Sequence, residues 1–183
     1  GFRKRVCVDI SQSALDQARA KLGEKGEYVL SSILELPVET NSVDGVISLH
    51  TIYHIHKNQQ ESAVRELLRV AKPGATVAVV YANPFRFFSI LKGLLKGRPG
   101  HNPEYFEPLY YFAHPLSWWN RFGDSAEVRV SCWRSLTAQD SKRLIPDNFL
   151  GKALLKAIFA LEGWFPGLMA RLGAYPLVLL KKK

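Results

Sequence analysis

The segment RVCVDIS, residues 5–11, puts a carboxylate at the C-terminal tip of an apolar strand-like run and leads directly into a helical pattern. A short, ionised side chain at that place accepts hydrogen bonds from paired hydroxyls, as acids at strand ends hold a ribose in nucleoside-binding α/β folds. The other reading of Asp9 is an acid facing the positive end of the helix that follows. A second concentration of reactive groups lies in HNPEYFEPLYYFAHPLSWW, residues 101–119, with Tyr105, Phe106, Tyr110, Tyr111, His114, Trp118 and Trp119. Rings at this density either enclose an organic ligand or fill a core. Cys7 and Cys132 form neither a disulfide framework nor a zinc-ligand pattern, so no metal site is expected and a reducing cytoplasm is the default compartment.

The elements that must position these groups alternate between strand and helix in the first part of the chain, which argues for a parallel sheet with crossover helices. RVCVDI is the first strand; Ser13 and Asp16 resemble a capping box for a helix that ends at Gly23. EYVLSS is a second strand, and DGVISL, opened by Asp44, a third. Asn58 and Glu61 are suited to cap a helix whose Ala63, Leu67, Val70 and Ala71 recur near helical spacing. The turn KPG leads into a fourth strand, ATVAVVY. Beyond Asn83, PFRFFSILKGLLKG reads as an amphipathic helix with Phe88, Leu91 and Leu95 on one side and Phe85 leading into that face. EVRVSCWRS is a strand, two helical patterns occupy 138–172, and YPLVLLKKK closes as a strand.

With 183 residues, 47% hydrophobic and 22% charged, the chain fits one globular domain with a sizeable core. We divide it into a core at 1–82, an aromatic and basic insert at 83–126, and a closing strand pair with intervening helices at 127–183. PLVLL is too short to span a bilayer, and no secretory signal is seen. The net charge of +9 is spread along the chain, concentrated only at Arg86, Lys92, Lys96 and Arg98 and at Lys181 to Lys183. Such runs are solvated faces, or they meet an anionic substrate or a membrane surface. No nucleic-acid-binding motif accompanies them, so no specific nucleic-acid partner is expected.

VCVDIS, LELPVETNSVDGVISLHTIYHI and ELLRVAKPGATVAVV, in that order over about 80 residues, resemble the class I S-adenosylmethionine-dependent methyltransferases that act on small molecules, of the methyltransferase type 11-like kind. The resemblance implies a Rossmann-like sheet, mostly parallel, with an antiparallel C-terminal strand pair, and S-adenosyl-L-methionine as cofactor. It implies that Asp9 holds the ribose, that Ile10 lies against the adenine, and that Leu49 and His50 line the methionine part. Ser32 stands where the family usually has an acid that meets the adenine amino group, and Ile33 offers its backbone N–H there. Asp44 is implied to fix the turn before a central strand. Tyr53 and His54 would face the entering substrate, with His54 either a general base or simply packed. The aromatic insert would cover the methyl end of the cofactor, with Tyr105, Tyr110, His114 and Trp118 around a small-molecule acceptor, sugar- or lipid-linked.

The family's first strand, its glycine-rich loop and first helix have no counterpart in these residues; GLLKGRPG follows a helical pattern and cannot substitute. In the family that strand lies between those matching VCVDI and DGVISL, so without it two edges are exposed or the two strands pair directly. We therefore expect a fragment of a longer protein, catalytically incomplete as it stands. The alternative is a non-catalytic binding module of the same fold.

Overall fold

The computed structural model describes residues 3–87 and 104–183. In chain order it contains β1 (Arg5–Asp9), α1 (Gln12–Leu22), β2 (Gly26–Leu30), β3 (Val43–Leu49), α2 (Gln60–Val70), β4 (Ala71–Val80), β5 (Glu104–Tyr105), β6 (Tyr111–Phe112), β7 (Ala126–Arg134), α3 (Ala138–Leu144), α4 (Phe149–Trp164), α5 (Pro166–Leu172) and β8 (Tyr175–Lys182). The expected helix over 84–97, with Phe88, Leu91, Lys92, Leu95, Lys96 and then Arg98, lies outside the described residues apart from its first positions.

β1 and β2 form a parallel pair; β3, β4, β8 and β7 form a four-stranded sheet in that order. Within the larger sheet β3–β4 is parallel, whereas β4–β8 and β8–β7 are antiparallel. The expected antiparallel C-terminal strand pair is β7 with β8, and the parallel pairs are β1–β2 and β3–β4; the larger sheet is nonetheless mostly antiparallel, because β8 runs back between β4 and β7 and pairs antiparallel with both. β1 and β3 do not pair with one another. Direct pairing of the two is thus not what forms, and Val6 of β1 and Ile47 and Leu49 of β3 stand exposed.

Local signals set most boundaries. Ser11, rather than Ser13, is the N-cap of α1, its hydroxyl accepting the Ala14 N–H, while Asp16 accepts from the Gln12 side chain instead. Gly23 ends α1 with φ at 53°, a conformation that favours glycine. α2 has no side-chain cap from Asn58 or Glu61; Glu61 instead meets Arg65 and Arg121. The ladder of β4 begins at Ala71 and carries the KPG turn within it, across an irregularity facing Val43 and Gly45. Residues 138–172 hold three helices rather than two: Pro146 follows the C-cap of α3, Asn148 caps α4, and Pro166 opens α5.

One core cluster joins α2, the central strands and the segment 113–126. Ala63, Val64, Leu67 and Leu68 of α2 pack with Val77 and Val79 of β4, Val178 and Leu180 of β8, and Trp118, Trp119 and Phe122. Burying each large apolar side chain contributes about 1.5–3 kcal/mol, so this cluster joins the insert firmly to the sheet.

Polar clamps fix the connections. Arg69 donates to Thr40, to the carbonyls of Leu36 and Val38, and to Glu66, which also accepts the Leu36 N–H. The LELPVET turn is thus tied to α2, and the Arg69 hydrogen bonds hold the Glu66 carboxyl below the usual carboxylate range. Asp44 is the second residue of β3 rather than part of the turn before it, and it makes an exposed 2.6 Å pair with Lys72. The terminal lysines are committed as well. Lys182 Nζ donates to the carbonyls of Leu68 and Ala71 and to Asn41, capping the negative end of α2, and Lys183 donates to the Gly123 carbonyl.

Candidate functional site

In parallel α/β structures ligands meet the carboxyl ends of the strands, where loops diverge. Asp9 ends β1 there. One of its carboxylate oxygens accepts the Ser11 N–H at 2.8 Å, which orients the side chain and leaves acceptor capacity facing solvent. Ile10 is 79% exposed, so its side chain is open to a flat partner. After β2, Ser32 Oγ accepts the Leu34 N–H at 3.2 Å, and Ile33 leans on the core cluster. Leu49 ends β3 exposed.

His50 follows with φ at 57°, an uncommon conformation for a residue with a side chain. It is held by its N–H donating to the Val80 carbonyl, by a 2.8 Å hydrogen bond between Nδ1 and the Tyr53 hydroxyl, and by an edge contact with Tyr175. Burial, then the charge of Arg134 and the neighbouring His54, lower its pKa, so the ring is neutral near pH 7. Burial drives the Tyr53 phenol far up, so it keeps its proton.

Tyr53 and His54 lie on a short 3₁₀ turn (Ile52–His54) between β3 and α2 and open into a hollow of about 340 Å³. Its other walls are Ala82 and Asn83 after β4, Arg86, Tyr111, Thr137, Ala174 and Tyr175. His54 Nδ1 lies 2.8 Å from the Tyr110 carbonyl, which can only accept, so Nδ1 carries a proton and donates it to that bond, leaving Nε2 as the ring's other functional nitrogen. Burial raises the Tyr111 phenol to about 12. Arg86 is ion-paired with Asp140, which also closes the capping box of α3 with Thr137. Asn83 donates to the carbonyls of Arg171 and Gly173, fixing the end of α5 at the rim. A wider concavity of about 500 Å³ lies along α1, but it is lined by that helix and its cap residue alone, without converging polar groups.

The hollow therefore brings together Tyr53, His54 and, from the aromatic run, Tyr111, but not the side chains of Tyr105, Tyr110, His114 or Trp118. Tyr110 bridges Glu104 and the Lys57 N–H through its hydroxyl, and it reaches the hollow only through the carbonyl that orients His54. Tyr105 is exposed and leans on Tyr111. His114 stacks on Trp118 at 4.6 Å, and Trp118 is buried in the core with Trp119 and Phe122. Asn83, Thr137 and Tyr175 escaped the sequence reading because nothing local marks them: they meet only through strand pairing and helix packing. Tyr111 was one ring among several, and only alternation along β6 separates it from Tyr110.

Residues 1–79 match the family model described as "Methyltransferase domain". Among solved structures, the PH0226 protein from Pyrococcus horikoshii OT3 superposes with a TM-score of 0.58 at 15% identity, covering 100% of this chain and 73% of that one. The N-methyltransferase NodS from Bradyrhizobium japonicum WM9, in complex with S-adenosyl-L-homocysteine, gives 0.55 at 10% identity, covering 98% and 66%. The 1,6-didemethyltoxoflavin-N1-methyltransferase of Burkholderia thailandensis, with its substrate and S-adenosylhomocysteine bound, gives 0.54 at 11% identity, covering 97% and 60%. At these identities the structural likeness speaks for the fold. Residues 1–79 thus carry the likeness to a methyltransferase domain, and the solved structures share the Rossmann-like architecture of the chain.

Proposed function

We propose that the protein serves S-adenosylmethionine-dependent methyl transfer to a small-molecule acceptor, sugar- or lipid-linked, in the cytoplasm. The observation that carries the reading is the strand-end carboxylate of Asp9, oriented by the Ser11 N–H and open to solvent, within the segment that matches the family. The residues fit the adenosine half of the cofactor: Asp9 offers acceptors to the ribose hydroxyls, Ile10 an uncovered apolar surface, and Ile33 a backbone N–H. Leu49 and His50 would border the methionine part. The cofactor, when bound, supplies a methyl group on a sulfonium.

The chain's own residues then handle the acceptor. His54 presents Nε2 into the hollow and would take a proton from an acceptor hydroxyl. Tyr53 keeps its proton and, through His50, ties the turn to the end of β3. Tyr111 and Tyr175 would wall the acceptor and exclude water. Tyr105, Tyr110, His114 and Trp118 remain proposed on the acceptor side, Tyr110 through its carbonyl and the others as support behind Tyr111. The division into 1–82, 83–126 and 127–183 follows these roles.

The 183-residue chain is proposed to be incomplete as a catalyst, since among the described residues no glycine-rich loop follows a strand. The second reading is a binding module without catalysis, favoured by the unpaired edges of β1 and β3 and by Ser32, whose hydroxyl is already engaged by Leu34. Peripheral contact with a membrane or an anionic substrate is part of the proposal, but Arg86 is paired with Asp140 and so contributes as a wall of the hollow.

Calorimetry tests the cofactor assignment. The chain alone should bind S-adenosylmethionine weakly or not at all. In a protein that also carries a preceding strand and glycine-rich loop of the family, Asp9→Ala should weaken binding by about 1.5–3 kcal/mol, the scale of hydrogen bonds to a charged group, and Asp9→Asn by less. Equal binding by both variants and the parent would remove the ribose assignment.

A further inference from the structure

α4 departs from the usual pattern of a helix on a globular protein, apolar inward and polar outward. Of its sixteen residues only Gly151 is buried. Phe149 is 83%, Leu150 72% and Trp164 76% exposed, and Phe165 and Leu168 continue the apolar surface into α5. Helical periodicity sorts the outer surface. Phe149, Trp164, Leu150, Leu161 and Leu154 fall within one arc of about 140°, Lys156 and Lys152 border it beside Phe149, and the exposed Phe159 lies next to Lys152.

Charge decides what covers this surface. Lys142, Arg143, Lys152, Lys156 and Arg171 are all exposed on α3–α5, and none makes an ion pair among the described residues. Of the three acids in this stretch, Asp140 is paired with Arg86, Glu162 accepts from the Ser135 N–H and hydroxyl, and Asp147 is exposed, so cations outnumber acids on this surface. A second copy would bring the same cations against these across a two-fold interface. An anionic bilayer would attract each of them. No single helix among the described residues is long and apolar enough to cross a membrane. α4 and α5 instead meet at 115°, with Trp164, Phe165 and Leu168 at the corner. An aromatic corner flanked by lysines is the form of a helix lying in the headgroup plane.

We propose that α4 and α5 dock the protein on an anionic membrane surface, Trp164 and Phe165 entering the acyl boundary and Lys152 and Lys156 meeting lipid phosphates. The inference rests on the membrane contact named above and not on methyl transfer. It also gives the acceptor a route. Asn83 ties the end of α5 to the rim of the hollow, and Thr137 joins that rim to α3. The hollow thus opens beside the docked face, where an acceptor with an acyl chain can present its head group without leaving the bilayer.

Flotation of the full 183-residue chain with vesicles, without cofactor, tests it. The chain should float with phosphatidylcholine vesicles containing phosphatidylglycerol, far less with phosphatidylcholine alone, and less as salt is raised. Lys152→Ala with Lys156→Ala should lower partitioning roughly thirtyfold, the expectation for two surface charges. Leu150→Ser with Trp164→Ser should abolish it, and both pairs, being exposed, should melt like the parent. A folded chain that ignores anionic vesicles overturns the proposal, as does flotation that survives both double variants. It is also overturned if the serine pair abolishes a self-association seen by ultracentrifugation while vesicle binding is absent. Because no cofactor enters the assay, failure here leaves the methyl-transfer reading intact, and loss of cofactor binding leaves this one intact.

Discussion

Removing a single oxygen, in Tyr81→Phe, should expose how the hollow is held in shape. Tyr81 is fully buried; its hydroxyl donates to Gln60 Oε1 at 2.6 Å and accepts the His114 N–H at 3.0 Å. Gln60, equally buried, donates through Nε2 to the carbonyls of Ile55 and Phe112. Carbonyls only accept, so the Gln60 amide cannot turn over to compensate without losing both bonds. Phenylalanine keeps the ring contacts with Tyr53, Trp118 and Trp119 but leaves one buried acceptor and one buried donor unpaired. At about 1–3 kcal/mol each, the loss is about 2–6 kcal/mol. Urea unfolding followed by circular dichroism reads it as a lower midpoint at unchanged slope. Gln60→Leu alone and combined with Tyr81→Phe should give a coupling energy above about 1 kcal/mol, as for residues in one network. If Tyr81→Phe stays within about 0.5 kcal/mol of the parent, the range of an unremarkable surface change, the network does not hold residues 111–118 against α2. The orientation of His54 by the neighbouring Tyr110 carbonyl would then need another support.

Trp118→Ala should destabilise the fold by about 3–5 kcal/mol, because the ring lies in the core against Trp119, Phe122 and His114; a normal thermal midpoint would return Trp118 to the acceptor side. Acidification should weaken the fold first through its histidines: burial depresses both His50 and His114. Their neutral forms are favoured by folding, so the unfolded chain binds more protons below its ordinary histidine pKa and stability falls as pH drops below about 6.5. Urea midpoints at neutral and mildly acidic pH should show that decline, and His114→Gln should flatten part of it; a midpoint indifferent to pH in that window would contradict the burial argument.

The strand-end acid, the turn around Pro37 and the KPG segment were legible because each is a local matter. A strand end, a proline and a left-handed glycine are set by residues adjacent in sequence, and their order carries the family. The helical character of 149–164 was legible for the same reason. What covers a helix is not local, and neither is the face that Phe149 and Trp164 present to solvent. The antiparallel closing pair was expected from the resemblance, but the seat of β8 between β4 and β7 was decided by strand pairing. The roles of the aromatic run were likewise divided only by packing: Trp118 went to the core, Tyr111 to the hollow and Tyr110 to a carbonyl that orients His54. Lys182 reads as one of a terminal charge run, yet the fold brings it to the last carbonyls of α2. Residue type and spacing determine which chemistry a side chain carries; pairings between residues far apart in the chain, which depend on burial and long-range geometry, decide where that chemistry is delivered.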